Sequence, residues 1–168
     1  MKIVTWNING VRARIGNLTH WLTESAPDIV CLQEIKTVDE LFPRAEIEAL
    51  VLAGDYNVIP EPADARFPEN WLGDALFQPQ TRQAFRRLKN LGFTEAVRSV
   101  TDSPGVYTFW DYQAGAWQKN NGIRIDHLLL SPEAANRFSS ASVEKHVRAW
   151  EKPSDHVPVA IELSLQPA

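Results

Sequence analysis

Lys2–Lys36, KIVTWNINGVRARIGNLTHWLTESAPDIVCLQEIK, reads as strand, helix, strand, and that reading decides the fold class. Lys2–Asn9 (KIVTWNIN) and Asp28–Lys36 (DIVCLQEIK) are short apolar runs of the kind that form buried strands. Between them, Ile15, Leu18, Trp21 and Leu22 fall at helical spacing over Arg14–Glu24, and Ala26-Pro27 ends the helix. A β-α-β unit joins parallel strands through a crossover, so an α/β fold is expected.

Three further runs repeat the strand pattern: Leu50–Asn57 (LVLAGDYN), Gly122–Leu130 (GIRIDHLLL) and Ser154–Ile161 (SDHVPVAI). Val106–Tyr112 alternates as a strand would. Thr81–Leu91 reads as an amphipathic helix, with Phe85, Leu88 and Leu91 inward, Arg82, Arg86, Arg87 and Lys89 outward, and Gly92 as its cap. Ile59–Leu76 is a loop rich in Pro and Asp, and Ser131–Phe138 a short helix opened by Ser131-Pro132. Nothing divides the chain, so 1–168 is expected to form one domain, with 1–49 as an N-terminal β-α-β part and 50–165 as a C-terminal part. One junction is anomalous. A second helix over Thr37–Ala49 runs straight into the strand at Val51, although helix-to-strand connections usually take about 2–6 residues.

Composition sets the outer bounds. A chain of 168 residues with 44% hydrophobic content can bury a sizeable core. The start, MKIVTWN, lacks the pattern of a signal peptide, and no apolar stretch approaches the ~18 residues of a membrane span. The lone Cys31 sits in an apolar run and reads as a small core residue in a reducing compartment. A cytoplasmic protein without a membrane partner is expected. The net charge of −4 conceals an uneven distribution, because Arg82–Lys152 carries 11 Lys and Arg against 7 Asp and Glu. A locally basic face on an acidic protein is compatible with phosphate contacts.

The apolar runs share another property: each delivers a polar group at its end. Asn7, Glu34, Asp55, Asn57, Asp126, Asp155 and His156 are four carboxylates, two amides and an imidazole. Taken singly these are weak signals. Glu34 near Lys36 also fits a surface ion pair, and Asp55-x-Asn57 after Gly54 also fits a turn. Asp126 interrupts an apolar run and requires a partner, which His156 supplies; such a pairing fixes the imidazole. An imidazole beside a carboxylate stays charged and meets phosphate oxygens. His127 faces the other side of its strand and reads as structural, while His20 and His146 read as surface residues. Oxygen donors without a Cys or His cluster suit Mg²⁺ or Mn²⁺ over zinc. Together the set points to a metal-dependent hydrolase. Phe109 and Trp110 are adjacent, so they point to opposite faces, and one is left to line a pocket or stack on a nucleotide.

The motifs KIVTWNINGVRAR, LQEIKT, LAGDYNVIPE, TFWDY, NGIRIDHLLLS and EKPSDHVPV, in that order along essentially the whole chain, resemble the exonuclease III family of abasic-site endonucleases within the endonuclease/exonuclease/phosphatase superfamily. The resemblance implies a two-sheet α/β sandwich and Mg²⁺-dependent cleavage of DNA 5′ to abasic sites, with 3′-exonuclease and 3′-phosphatase activities. It implies Glu34 as metal ligand, supported by Asn7 and Asp155. Asp55, oriented by Asn57, would handle the proton of the water or leaving group, and His156, held by Asp126, would meet the phosphate. Lys36, Phe109, Trp110, Arg124 and Ile125 would contact DNA, with the Phe109, Trp110 and Ile125 side chains forming a pocket for a flipped-out abasic sugar. The expected partner is double-stranded DNA with abasic sites or 3′ ends. One departure accompanies the match: a long internal segment of the family is missing near Ala49–Val51, where the junction is anomalous. One sheet is therefore expected to be incomplete, with exposed edges open to oligomer formation. Two other readings remain: a catalytically inactive remnant that binds DNA or a protein through Arg82–Lys89, and a hydrolase of smaller phosphoesters.

Overall fold

The computed structural model describes residues 2–9, 14–25, 29–34 and 51–164. Lys36, the Thr37–Ala49 helix and its junction up to residue 50 lie outside the described residues.

Strand β1 (Lys2–Asn7) alternates sides, and the alternation organises the molecule. Val4 and Trp6, with Ile8 just beyond, pack under helix α1 (Ile15–Ser25) against Leu18 and Trp21, the two tryptophan rings meeting edge-on at 5.5 Å. Ile3 and Asn7 face the other way, Ile3 into the main core. Leu22 falls off the buried stripe of α1 and is 38% exposed. Strand β2 (Ile29–Gln33) lies parallel to β1, as a β-α-β unit requires.

Two sheets face each other. The first is mixed, in the order β2-β1-β7-β6, with β6 at Phe138–Val143 and β7 at Val159–Leu163. The second is antiparallel, in the order β3-β5-β4, with β3 at Val51–Asp55, β4 at Thr94–Glu95 and β5 at Asp126–Leu130. Ile3, Leu128, Leu130, Val159 and Ile161 fill the space between them, joined by Ala96 and Val97 of the short helix α3 (Ala96–Val100). Helix α2 (Pro79–Asn90) covers the outer face of the second sheet, with Phe85 against Val58 and Leu129. A further short helix, α4 (Pro132–Ala135), is opened by the Ser131 hydroxyl, which accepts the Ala134 N–H.

The result is the expected two-sheet α/β sandwich. Among the described residues β2 and β3 each end a sheet, and they flank the anomalous junction on either side. Three expectations need correction. Val106–Tyr112 is not a strand; it is extended chain tied to the sheets by single bridges, Phe109 to Ile123 and Phe109 to His156. Leu91 is 75% exposed, because α2 ends at Asn90 and Leu91 begins the turn. Gly54 does not serve as a bend. It lies within β3, where a Cβ would sit 3.4 Å from Gln33 Oε1.

Gly122 is the glycine that the packing does require. A Cβ there would stand 2.6 Å from Trp110 Nε1 and 2.8 Å from Tyr107 Cβ. Gly122→Ala is therefore expected to lower stability by about 1–3 kcal/mol through overpacking, read as a lower urea midpoint with unchanged slope.

Candidate active site

The carboxylate-bearing strand ends converge at one end of the inter-sheet space. Asp55 and Asp126 are directly paired in the β3–β5 register, and Asn7 reaches across from the other sheet. The Asn7 amide nitrogen donates to Glu34 Oε1 at 3.0 Å and to Asp55 Oδ2 at 3.2 Å, while its oxygen accepts the Asn9 N–H. Ionised carboxylates only accept hydrogen bonds, so the amide must present its NH₂ to them. Asn7 thus ties two carboxylates together, while its oxygen accepts from the main chain of Asn9.

Backbone geometry aims these groups. Asn9, Glu34 and Asn57 all adopt left-handed conformations, with φ of 45°, 47° and 49°. Such a φ is uncommon outside glycine, and strain of this kind gathers where side chains must be redirected. Asn57 meets Asp55 through its main chain: its N–H donates to Asp55 Oδ1 at 2.9 Å while the residue itself is exposed.

His156 is 5% exposed, and its Nδ1 is 2.8 Å from Asp126 Oδ2. Its Nε2 lies 3.9 Å from Asp55 Oδ2. Burial opposes the imidazolium, yet Asp126, Asp55 and Asp155 outweigh it and hold the pKa above the usual histidine value. For Asp55, burial first and then the charge of Asp126 push the carboxyl up, against the opposing Asn57, His156 and Asn7. Asp155 stands at the edge of the cluster, where Oδ1 accepts from Asn9 Nδ2 at 3.0 Å.

Three supporting residues carried no periodic signal. Thr108 Oγ1 accepts the N–H groups of both Ile125 and Asp126 at 3.1 Å, which fixes the approach to β5. Ser154 Oγ joins the His156 N–H to the Asn7 carbonyl. The Gln33 side chain links the two sheets, donating to Thr5 Oγ1 at 2.6 Å and accepting the Asp55 N–H. The hint for Thr108 and Gln33 was their place inside the TFWDY and LQEIKT motifs.

Several expected DNA-contact residues sit elsewhere. Arg124 is 1% exposed and ion-paired to Asp64 at 2.8 Å and Glu95 at 2.9 Å, so it is a buried structural cation. Trp110 is fully buried with Tyr107 and Val157, its indole N–H donating to Asn120 Oδ1. Ile125 is buried among Ile59, Ala65 and Phe77. Phe109 alone of the expected pocket set lines open space, with its ring 5.0 Å from that of His156. Lys36 lies outside the described residues. His127 is structural as expected: it lies beside Arg124 and Val58 O and packs on Phe85 at 4.6 Å. The exposed Arg86 and Arg87 ride on α2, over the outer face of the second sheet and away from the cluster.

The donor set suits a hard divalent cation. Asp55, Asp126 and Asp155 act on one imidazole and Glu34 joins them through Asn7, so these described groups are net negative even with His156 charged. The nearby Arg14 and Arg148 direct their guanidinium groups to Asn9 O, Tyr112 and Trp110 O. Asp126 Oδ1 is buried with no donor among the described residues. No three Asp, Glu, His or Cys side chains among those residues are placed to hold a metal ion by themselves. Mg²⁺ needs none, since it keeps several waters and takes one or two carboxylates.

Comparison with known proteins gives this arrangement a context. A model of the Endonuclease/Exonuclease/phosphatase family matches residues 4–156. Exodeoxyribonuclease III of Haemophilus influenzae is 31% identical over 265 aligned positions, covering 96% of this chain and 99% of that protein. That span exceeds the 168 residues of the chain, so the alignment bridges a stretch with no counterpart here. An exodeoxyribonuclease of Bacillus subtilis is 34% identical over 117 residues, 69% of this chain but only 45% of that protein. Among solved structures, a 3′ phosphatase from Neisseria bound to a product DNA hairpin superposes with a TM-score of 0.89 at 24% identity, covering 98% of this chain and 99% of that one. An AP endonuclease from Archaeoglobus fulgidus gives 0.88 at 23% identity, covering 98% and 100%.

Proposed function

Because the chain belongs to the endonuclease/exonuclease/phosphatase family, we propose that it is a metal-dependent DNA-repair nuclease acting on duplex DNA at abasic sites and 3′ ends. The observation that carries this reading is the Asp126–His156 pair, which aims a buried imidazole at Asp55. The chain acts as a single shortened domain over 1–168, in which 1–49 and 50–165 both supply site residues.

Each group has a role. His156, charged, donates from Nε2 to a phosphate oxygen and stabilises the charge that builds there. Asp55, tied by Asn7 and Asn57, takes the proton of the attacking water or returns one to the leaving oxygen. Glu34, with Asp155, would hold Mg²⁺ or Mn²⁺, which when bound neutralises the phosphodiester and polarises it. Asn7 keeps Glu34 and Asp55 in register across the two sheets. Phe109 borders the place where the sugar beyond the reacting phosphate sits.

The rates should trace a bell against pH. Asp55 must be ionised, so activity rises as pH climbs through a carboxyl pKa raised above 3.8. His156 must be protonated, so activity falls as pH climbs through an imidazole pKa raised above 6.5. The test is kcat/KM against pH on an abasic duplex, set beside a small phosphodiester. A bell on DNA with little turnover of the small ester supports the proposal. Comparable turnover of both would transfer the site to small phosphoesters.

A further inference from the structure

The basic helix that stands out in the sequence takes no part in the catalytic cluster. α2 (Pro79–Asn90, PQTRQAFRRLKN) carries Arg82, Arg86, Arg87 and Lys89 and no Asp or Glu, in a chain whose net charge is −4. Arg82 is engaged: it donates to Pro60 O and Glu61 and lies over the Phe77 ring at 4.6 Å. Arg86, Arg87 and Lys89 are exposed, and their side chains have no ion-pair partner among the described residues. Of the acids near the helix, Glu61 binds Arg82, Asp74 accepts the Leu76 N–H, and Glu95 is buried against Arg124. Like charges at i and i+4, as at Arg82 and Arg86, cost a helix stability, and no Glu offsets them. The C-terminal dipole accounts for a cation or two in the last turn, but not for a helix without an acid.

Along these cations runs an open hollow of about 530 Å³, lined by Pro79, Gln83, Arg86, Arg87 and Asn90. All of these side chains except Pro79 carry hydrogen-bond donors, and they follow one stripe of the helix for roughly 16 Å. The hollow has no aromatic anchor of the kind that centres a protein–protein interface. Arg, Asn and Gln side chains in a row are what contact phosphate and sugar along a nucleic-acid backbone. The catalytic cluster offers little of this grip. Its described groups are net negative, and Arg14 and Arg148 turn to protein oxygens.

We infer that the outward face of α2 is a second duplex-DNA contact, gripping the backbone of a stretch other than the one being cut. The choice of DNA rests on the nuclease reading of the cluster. α2 covers the outer face of the second sheet, away from the cluster, and duplex DNA is stiff over about 150 base pairs. A short duplex seated on the cluster therefore does not bend round to α2, and the two contacts engage two segments. The protein holds one segment while the cluster samples the next.

The test uses the full-length chain beside Arg86→Gln/Arg87→Gln/Lys89→Gln, which removes three charges, and Arg86→Lys/Arg87→Lys, which keeps them. Affinity for an undamaged duplex of about 20 base pairs is measured in EDTA, without turnover, from about 50 to 200 mM salt. The triple variant should bind about tenfold more weakly at low salt, with a salt slope smaller by about 2–3, at roughly 0.9 per phosphate contact. The lysine variant should keep the slope. With Mg²⁺, kcat/KM on an equally short abasic duplex should stay within about twofold of the parent in both variants. An unchanged slope in the triple variant would overturn the inference, as would a kcat/KM that falls as far as the affinity. Binding of polyglutamate that the triple variant loses, with its DNA affinity intact, would make α2 a face for an acidic protein instead. A slope that changes as expected in a parent that makes no metal-dependent incision would count against the nuclease reading alone.

Discussion

His156→Ala is expected to lower metal-dependent incision of an abasic duplex by about 10²-fold or more, with the fold retained. The imidazole is held by Asp126 at 2.8 Å, and its free nitrogen points toward Asp55. On the proposed reading, charge on a phosphoryl group builds opposite a buried donor that is already oriented. Asp126→Asn makes the sharper comparison, because it keeps the shape and removes the charge. Burial would push the imidazole pKa down, and Asp126 heads the groups that lift it. Taking that charge away should move the alkaline limb of the pH–rate curve to lower pH, besides lowering its height. Steady-state kcat/KM from pH 5 to 9 would measure both. An unchanged limb in Asp126→Asn would mean that His156 is not the group titrating there.

Arg124→Ala should unfold the protein at markedly lower denaturant, a loss of about 3–5 kcal/mol. Arg124 joins two buried carboxylates from distant segments, Asp64 in the loop after β3 and Glu95 in β4. Arg98 also binds Asp64, and His127 Nδ1 stands 2.9 Å from Arg124. Removing the central cation leaves Asp64 to Arg98 alone and Glu95 to His127 and the Arg98 N–H, so both buried carboxylates are under-compensated. Arg124→Lys should recover only part of the loss, since an ammonium does not reproduce the forked geometry. By contrast, Arg86→Ala and Arg87→Ala, on the exposed face of α2, should change stability by no more than about 0.5 kcal/mol. The same cluster sets an acid limit. Burial would raise Glu95, but His127 and Arg124 hold it down at about 2, below its ordinary 4.5. Its stabilisation is complete above that ordinary value and is lost as pH falls toward the lower one. A normal urea midpoint in Arg124→Ala, with weakened DNA binding, would return Arg124 to the nucleic-acid face.

The parts of this molecule that were legible in the sequence are those governed by local period. The β1-α1-β2 unit, the opposed faces of Asp126 and His127, and the apolar stripe of α2 at Phe85 follow from alternation and helical spacing. The Asp126–His156 pair followed from cost, because a carboxylate inside an apolar run demands a partner. What escaped depends on contacts far apart along the chain. Arg124 looks like a surface cation until Asp64 and Glu95 arrive from other elements. Adjacency told that Phe109 and Trp110 diverge, but not which of them meets the core. Val106–Tyr112 alternates like a strand and yet makes only isolated bridges, so period alone misassigned it. Asn57 acts through its main chain, which no side-chain motif announces.

The central claim is that these strand ends assemble a working phosphodiesterase site without the segment missing beside Ala49–Val51. It is tested most directly by incubating the protein with a duplex carrying one abasic analogue, with Mg²⁺ and with EDTA, beside Asp55→Asn. The account predicts incision that needs the metal and disappears in the variant. A folded protein that binds the duplex but leaves it intact, or nicks it equally well after Asp55→Asn, would contradict it.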